Sequence, residues 1–383
     1  MESYFKKRFV FRSLLLLLFT SQISISQTAD FNYRDVSHLV PSPEYSQEML
    51  NEFMEYPAIE DYLPSNYVED GTRDYTSYVQ QAINENQNVR FPDFPILIND
   101  TGIFLRSNSN LYFQPNSSLI MAPTDLGRYT ILTLNDLTNV NIYNPTLVGE
   151  RDDHLGTGGE WGTGLRINGS SHINVYDVNI KDMWGDGIYV GKYRAVQSDD
   201  ILIENGLIDN VRRNGISIIS GKNLTINNII IANTNGTNPA SGIVIEPNKQ
   251  QEILENIHLN NITTINSDKE GIVFNASRFL NPNISKEVSI SINNHYDDGS
   301  RIALRFFKKG FVEEDLPLSG YIAIKNSVYT NTRMHPITIP NENYKLPTLY
   351  FDKVEVDTDA AERFRTLMIQ KTQRFDNVKF VNL

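Results

Sequence analysis

Between Arg151 and Arg213 the chain gathers groups that bind and titrate. Arg151, Arg166, Lys192, Arg194, Arg212 and Arg213 are cations, Glu160 and Asp186 are carboxylates, and His154 and Tyr189 are candidate proton acceptors. Both tryptophans of the chain, Trp161 and Trp184, fall in the same window. Cations neutralise a bound carboxylate, and a phenol or imidazole held nearby takes a proton from the carbon beside it. Indole faces offer flat apolar platforms to rings. Each group also has a plain structural reading: an indole packs inside a bend, a lone arginine or lysine is solvated surface, and a loop histidine is polar surface. Asp186, and Glu246 further on, equally tie down turn amides. As a cluster in an acidic chain the cations point to an anionic ligand, with Tyr189 or His154 as its base.

One phrase returns five times and must position these groups. It reads Trp161-Gly-Thr-Gly-Leu-Arg-Ile167, Trp184-Gly-Asp-Gly-Ile-Tyr-Val190, Arg212-Arg-Asn-Gly-Ile-Ser-Ile218, Pro239-Ala-Ser-Gly-Ile-Val-Ile245 and Asp268-Lys-Glu-Gly-Ile-Val-Phe274. Its glycines, Gly164, Gly187, Gly215, Gly242 and Gly271, are 23, 28, 27 and 29 residues apart, a period that means a solenoid or an array. Apolar residues one and three places after each glycine have the alternation of a half-buried strand. A second alternating run follows each phrase, as in His172 to Ile180 or Leu224 to Ile231, with Asn- and Gly-rich bends and no helical period between. Each unit is therefore a coil of strands wound about a common axis. Equal positions stack at about 4.8 Å into files. The file two places after the glycine then faces outward as Arg166, Tyr189, Ser217, Val244 and Val273. The file three places before it is Trp161, Trp184, Arg212, Pro239 and Asp268, with Lys269 one place on.

On these phrases the chain resembles the right-handed parallel β-helix proteins of the pectate-lyase superfamily, over roughly residues 70 to 330. The resemblance implies an all-β, single-stranded right-handed parallel β-helix, opened by a short capping helix. That helix matches Gly71 to Ile83, where Asp74 or Thr76 caps and Tyr75, Val79 and Ile83 repeat at helical spacing. It also implies carbohydrate-active chemistry along a groove on one face. Elimination across C4 and C5 of a uronate needs its carboxylate neutralised, for which Arg166, Arg213 and Lys192 are candidates, and a base at C5, for which Tyr189 or His154 is. An adjacent arginine favours the phenolate of Tyr189. Arg151, Glu160, Trp161, Trp184, Lys192, Arg212, Glu246 and Lys269 are the candidate sugar-binding residues, and Asp186 joins the catalytic set.

A sugar oxygen leaving from C4 makes the enzyme a polysaccharide lyase, and hydroxide makes it an oligosaccharide dehydratase. Return of the proton to the other face makes it a C5-epimerase. An inverting hydrolase needs two carboxyls roughly 6.5–9.5 Å apart. Asp186 and Glu246 are two coils and five positions from registry, on the order of 19 Å by strand geometry, so another carboxylate, Asp153 or Glu160, would have to join Asp186. The ordered motif set of polygalacturonase-like members is absent, as is the dense carboxylate cluster of metal-dependent pectate lyases. A non-catalytic glycan-binding or adhesion β-helix is the remaining alternative.

Composition bounds the rest. The chain has 383 residues, is 40% hydrophobic, and carries a formal charge of -12 and no cysteine, so one large core without disulfides is expected. Lys6, Lys7, Arg8 and Arg12, then Leu14 to Phe19, then Ser24-Ile25-Ser26 follow the order of a cleavable secretory signal over residues 1–26. The exported chain then holds 30 basic against 45 acidic residues, a charge of -15 that argues against nucleic acid. No membrane attachment is expected after cleavage, and a monomer is. Residues 27–70 read as an extended arm and 71–383 as the β-helix domain. The break at Gly149 to Gly162 is a loop of the kind that carries function. No cofactor is expected; calcium at Asp199-Asp200 or Asp297-Asp298 stays open.

Overall fold

A computed structural model describes residues 31–307, 314–340 and 345–382. The export-type segment 1–26 lies outside the described residues. Every repeated phrase forms a short strand of one sheet. Among the described residues its nine strands are Ile103–Phe104, Arg128–Asn135, Trp161–Asn168, Ile188–Gly191, Asn214–Ile218, Ser241–Ile245, Glu270–Asn275, Ile302–Phe307 and His335–Thr338, each parallel to the next. The runs between them build a second parallel sheet of fifteen strands. The molecule is thus a right-handed parallel β-helix of about nine turns.

The period has a steric origin. A Cβ on Gly164, Gly187, Gly215 or Gly242 would lie 2.6–2.8 Å from the carbonyl oxygen of the next glycine in the file, so only glycine lets the coils stack there. The flanking apolar files are closed: Leu165, Ile188, Ile216, Ile243 and Ile272 are all 0% exposed. Each such side chain contributes about 1.5–3 kcal/mol on burial. The long strands turn corners at left-handed residues, with Asn144, Asp177, Asn205, Asn228, Asn261 and Asn294 forming one file. Short amide side chains tolerate that backbone, and Asn294 donates to Asn261 and Asn261 to Asn228, each at 2.8 Å.

Helix α1 is Gln47–Met54, α2 is Thr76–Glu85 and α3 is Thr358–Arg374. Asp74 accepts from the Thr76 amide at 2.9 Å, and α2 buries Val79, Ala82 and Ile83 over the first coil. Phe364 and Met368 of α3 pack on the core at the far end. The segment from Tyr33 is not simply extended: it holds α1 and two 3-10 turns, Ser37–Leu39 and Ile59–Tyr62. These are too short for a helical period to stand out in sequence. Together these residues form a strap along the fifteen-stranded sheet. Arg34 pairs with Asp298 at 2.8 Å, Tyr33 donates to Asp209 at 2.5 Å and Tyr45 to Asp177 at 2.6 Å. Phe53 of α1 stacks on Tyr112 at 4.4 Å, and Arg90 donates to the Met54 carbonyl at 2.6 Å.

One interior file changes character along the axis. Leu147, Ile180, Ile208 and Ile231 are followed in register by Thr264, Asp297 and Tyr329. Thr264 donates to Asp297 at 2.6 Å and contacts His295 Nε2 at 2.8 Å, while Ser300 donates to the same carboxylate at 2.6 Å. Burial pushes Asp297 up to about 6 and His295 down to about 3.

Candidate functional site

The outward file of the nine-stranded sheet is confirmed in register as Thr133, Arg166, Tyr189, Ser217, Val244, Val273, Arg305 and Thr338. It is a groove floor rather than an open surface: Ser217 is 1% and Val244 2% exposed. A cavity of about 510 Å³ sits over its first half, walled by Arg128, Glu160, Trp161, Arg213, Glu246 and Arg278. A second, of about 710 Å³, continues it past Asn238, Pro239 and Glu246, with Lys269, Glu270, Arg305 and Phe307 in its walls.

Beneath the floor runs a buried polar file one place before the anchor glycines: Thr163, Asp186, Asn214, Ser241 and Glu270, none more than 6% exposed. It fixes the cations above it. Arg213 Nη1 donates to both oxygens of Asp186 at 2.9 and 3.0 Å, and Ser217 donates to the same carboxylate at 2.9 Å. Burial opposes the Arg213 charge, but Asp186 outweighs it and the guanidinium is held more basic than usual. At the other end Arg305 donates to Glu270 at 2.8 Å, and Ser241 donates to its second oxygen at 2.8 Å.

Arg166 is held differently. It donates to Thr130 at 3.1 Å and Thr163 at 2.9 Å, and its guanidinium lies 4.8 Å from the Tyr189 ring centre. It makes no ion pair among the described residues, and burial lowers its pKa. Burial likewise raises the Tyr189 phenol, and the pull of Arg166 does not reverse this. The expected phenolate is therefore corrected to a phenol. Desolvation over a deep groove floor exceeds the field of one cation that is itself desolvated.

The remaining candidates divide. Glu160 and Trp161 line the first cavity, with Arg213 Nε 4.0 Å from Glu160 and the Arg128 guanidinium 4.8 Å from the Trp161 ring centre. Trp184 is not a second platform. Its indole is stacked 3.7 Å from the His154 imidazole and takes the Arg212 guanidinium at 3.7 Å, packed against the core. The His154 side chain is 1% exposed and bonded through Nδ1 to buried Glu150 at 2.9 Å, so its imidazole does not reach the groove as a base. Arg212 also donates to the Gly159 carbonyl at 3.0 Å, and Arg151 donates to Asn210 at 3.0 Å and Asn235 at 2.6 Å. All four residues tie the 149–160 loop to neighbouring coils, and none of them is in the wall of either cavity. Lys192 is not in the wall of either cavity; its charge acts on Lys286. Lys269 lines the second cavity, 3.9 Å from Asp268.

Glu246 stands where the cavities meet, accepting from Asn275 at 2.7 Å, and burial raises its pKa despite Arg213 and Arg278. It also feels the charge of Asp186. Asp186 is bonded to Arg213, whereas Glu246 only feels the Arg213 charge. Arg128 and Arg278 were missed because they lie outside the repeated phrases. The buried polar file was readable from those phrases, as Thr, Asp, Asn, Ser and Glu before each glycine. Among the described residues no cluster of three or more His, Asp or Glu side chains is placed to hold a metal. Asp297 is taken by Thr264 and Ser300, and Asp298 by Arg34. Asp199 accepts from Asn223 at 2.8 Å and Asp200 lies 3.6 Å from His172.

No family model matches the chain. A curated relative, the uncharacterised protein YclG of Bacillus subtilis, is 29% identical over 211 residues, 46% of this chain and 36% of the relative. The chain thus spans well under half the length of the curated relatives it matches. Solved structures share the fold at low identity. A polygalacturonase from Erwinia carotovora has a TM-score of 0.56 at 15% identity, over 76% of this chain and 92% of that one. The Streptococcus pneumoniae surface protein and adhesin PfbA has 0.54 at 13%, over 85% and 96%. The A-module of the mannuronan C-5 epimerase AlgE6 from Azotobacter vinelandii has 0.53 at 12%, over 78% and 86%. The fold is that of the right-handed parallel β-helix proteins.

Proposed function

We propose that the groove belongs to a carbohydrate-active enzyme that acts on a uronic-acid-containing poly- or oligosaccharide by β-elimination. The observation that carries this reading is Arg166, a half-buried guanidinium on the groove floor with no ion pair among the described residues. A desolvated cation without an anion is costly, and a uronate carboxylate relieves that cost. With Arg213 nearby, it also stabilises the charge that builds as the C5 proton leaves. Glu246, made more basic by burial, takes that proton. The electrons of the C5–H bond form the C4–C5 double bond, the C4–O4 bond breaks, and Tyr189 gives its phenolic proton to O4. Tyr189 is the donor because burial keeps it protonated. Solvent carries the Glu246 proton back to the phenolate.

The nature of O4 separates a lyase from a dehydratase, and proton return to the opposite face would make an epimerase, the activity named for one protein of this fold. The substrate is met outside the cytoplasm on this reading, given the export-type order of residues 1–26. The test is a panel of uronate glycans followed by absorbance of the conjugated product. Tyr189→Phe and Glu246→Gln are expected to lower the rate about 10²–10⁴-fold. No absorbance from folded protein across the panel counts against elimination.

Hydrolysis is the second reading, favoured by Glu246 being pushed up while sharing the field of Asp186 and Arg213. Products that gain water and show no absorbance decide for it. An adhesin also has this fold. Glycan retention by the parent protein with no product of either kind decides for a binding module.

A further inference from the structure

Along the floor, charge is confined to the two ends. Arg166 and Arg213 serve the first cavity, and Arg305, clamped by Glu270 at 2.8 Å and 4.8 Å from the Phe307 ring centre, serves the second. Arg305 lies three strands beyond Arg213 and five beyond Arg166 in the sheet order, about 14 and 24 Å along the axis at the inter-strand spacing. Between them the outward file is Val244 and Val273, with no cation in it. A sugar unit over that stretch meets an apolar floor. A carboxylate turned to it would lose its hydration to valine, whereas the face of an uncharged ring is accommodated.

We infer that the second cavity is a second anion subsite, and that the groove selects a glycan whose acidic units are separated by uncharged sugars over a homopolymer of uronate. This rests on the uronate reading of the first cavity. Arg305 is built for the role as Arg213 is, each fixed at the floor by one buried carboxylate that also accepts from a serine hydroxyl. A guanidinium held in place loses little freedom when it meets an anion. Lys269 and Arg301 on the same rim add positive charge where an acidic unit would arrive.

The experiment uses the Tyr189→Phe protein, so that binding is read without turnover, and titrates two hexasaccharides of one uronic acid. These are a hyaluronan hexasaccharide, in which glucuronate alternates with N-acetylglucosamine, and hexaglucuronate. The alternating chain is expected to bind at least ten-fold more tightly. Arg305→Gln combined with Glu270→Gln, which leaves no buried charge unpaired, is expected to lower affinity for the hyaluronan hexasaccharide at least ten-fold. Its effect on the hyaluronan disaccharide is expected to be smaller, with unchanged Tm confirming the fold. Hexaglucuronate binding as well as or better than the alternating chain overturns the inference and leaves the first site standing. An equal loss for both lengths in the double variant, or none, overturns the second subsite. If neither hexasaccharide binds to folded protein, the uronate reading falls and this inference with it.

Discussion

The two long faces of the helix are made from the same coils and carry opposite surfaces. On the fifteen-stranded face the tyrosine ladder Tyr112, Tyr143 and Tyr176 is met by the strap, and polar groups find partners within the chain: Tyr45 with Asp177, Tyr33 with Asp209, Arg34 with Asp298. On the nine-stranded face the floor is deep and Arg166 has no carboxylate bonded to it. Paired charges on one side stabilise the fold, and on the proposed reading the half-buried Arg166 on the other, left without an ion pair beside the paired Arg213 and Arg305, is the one that takes a ligand. Exposure alone does not separate the two roles, since both faces bury aromatic and charged groups.

The largest effect should come from deleting the unpaired charge. Arg166→Met is expected to reduce turnover about 10²–10³-fold, in the range of losing one preorganised donor to developing negative charge, with Tm unchanged or raised. A large drop in Tm would instead make Arg166 structural and erase the contrast between the faces. The mirror experiment is Phe53→Ala, which empties the aromatic cluster under the strap and is expected to cost about 3–5 kcal/mol of stability. Its turnover per folded molecule should equal the parent's, measured by denaturant titration beside initial rates.

Between the faces, the buried His295 and Asp297 titrate in opposite senses. Asp297, raised to about 6, contributes stability that is present below about pH 4 and lost as pH rises through 6. His295, lowered to about 3, favours the fold above its unfolded value near 6.5 and costs stability as pH falls toward 3. Asp298 adds to the upward push on Asp297. The parent Tm should therefore be nearly flat between pH 4 and 6. His295→Gln should expose a fall of about 3 kcal/mol as pH rises over that range, and Asp297→Asn a fall on acidification. Identical slopes in all three proteins would show that the pair does not titrate. The smallest expected effect is Tyr45→Phe, about 1 kcal/mol for one lost hydrogen bond to Asp177, with the groove untouched.

Much of this was legible in the chain. The five glycine phrases give the coil spacing and the apolar files, because a Cβ at the anchor would strike the neighbouring coil and because alternation needs no distant partner. The same count puts Arg166, Tyr189 and Trp161 on one wall. It fails for Trp184 and His154, which share the same stretch but turn in to stack on each other. Nothing local distinguishes an indole facing a cavity from one packed under a loop. The file Thr163, Asp186, Asn214, Ser241 and Glu270 is written in the phrases, but of its members only Asp186 stands out as a candidate, since polar residues beside a core file resemble ordinary turn residues.

By itself, then, the order of residues determined the solenoid, its period, its core and the face on which cations collect, all of which follow from short-range sterics and periodic burial. Only the folded molecule decided which cations are neutralised, that Tyr189 stays a phenol, and that Asp186 holds Arg213 while Glu246 only feels its charge. Those outcomes depend on desolvation and charge summed over side chains from several coils, and no single stretch of sequence contains that sum.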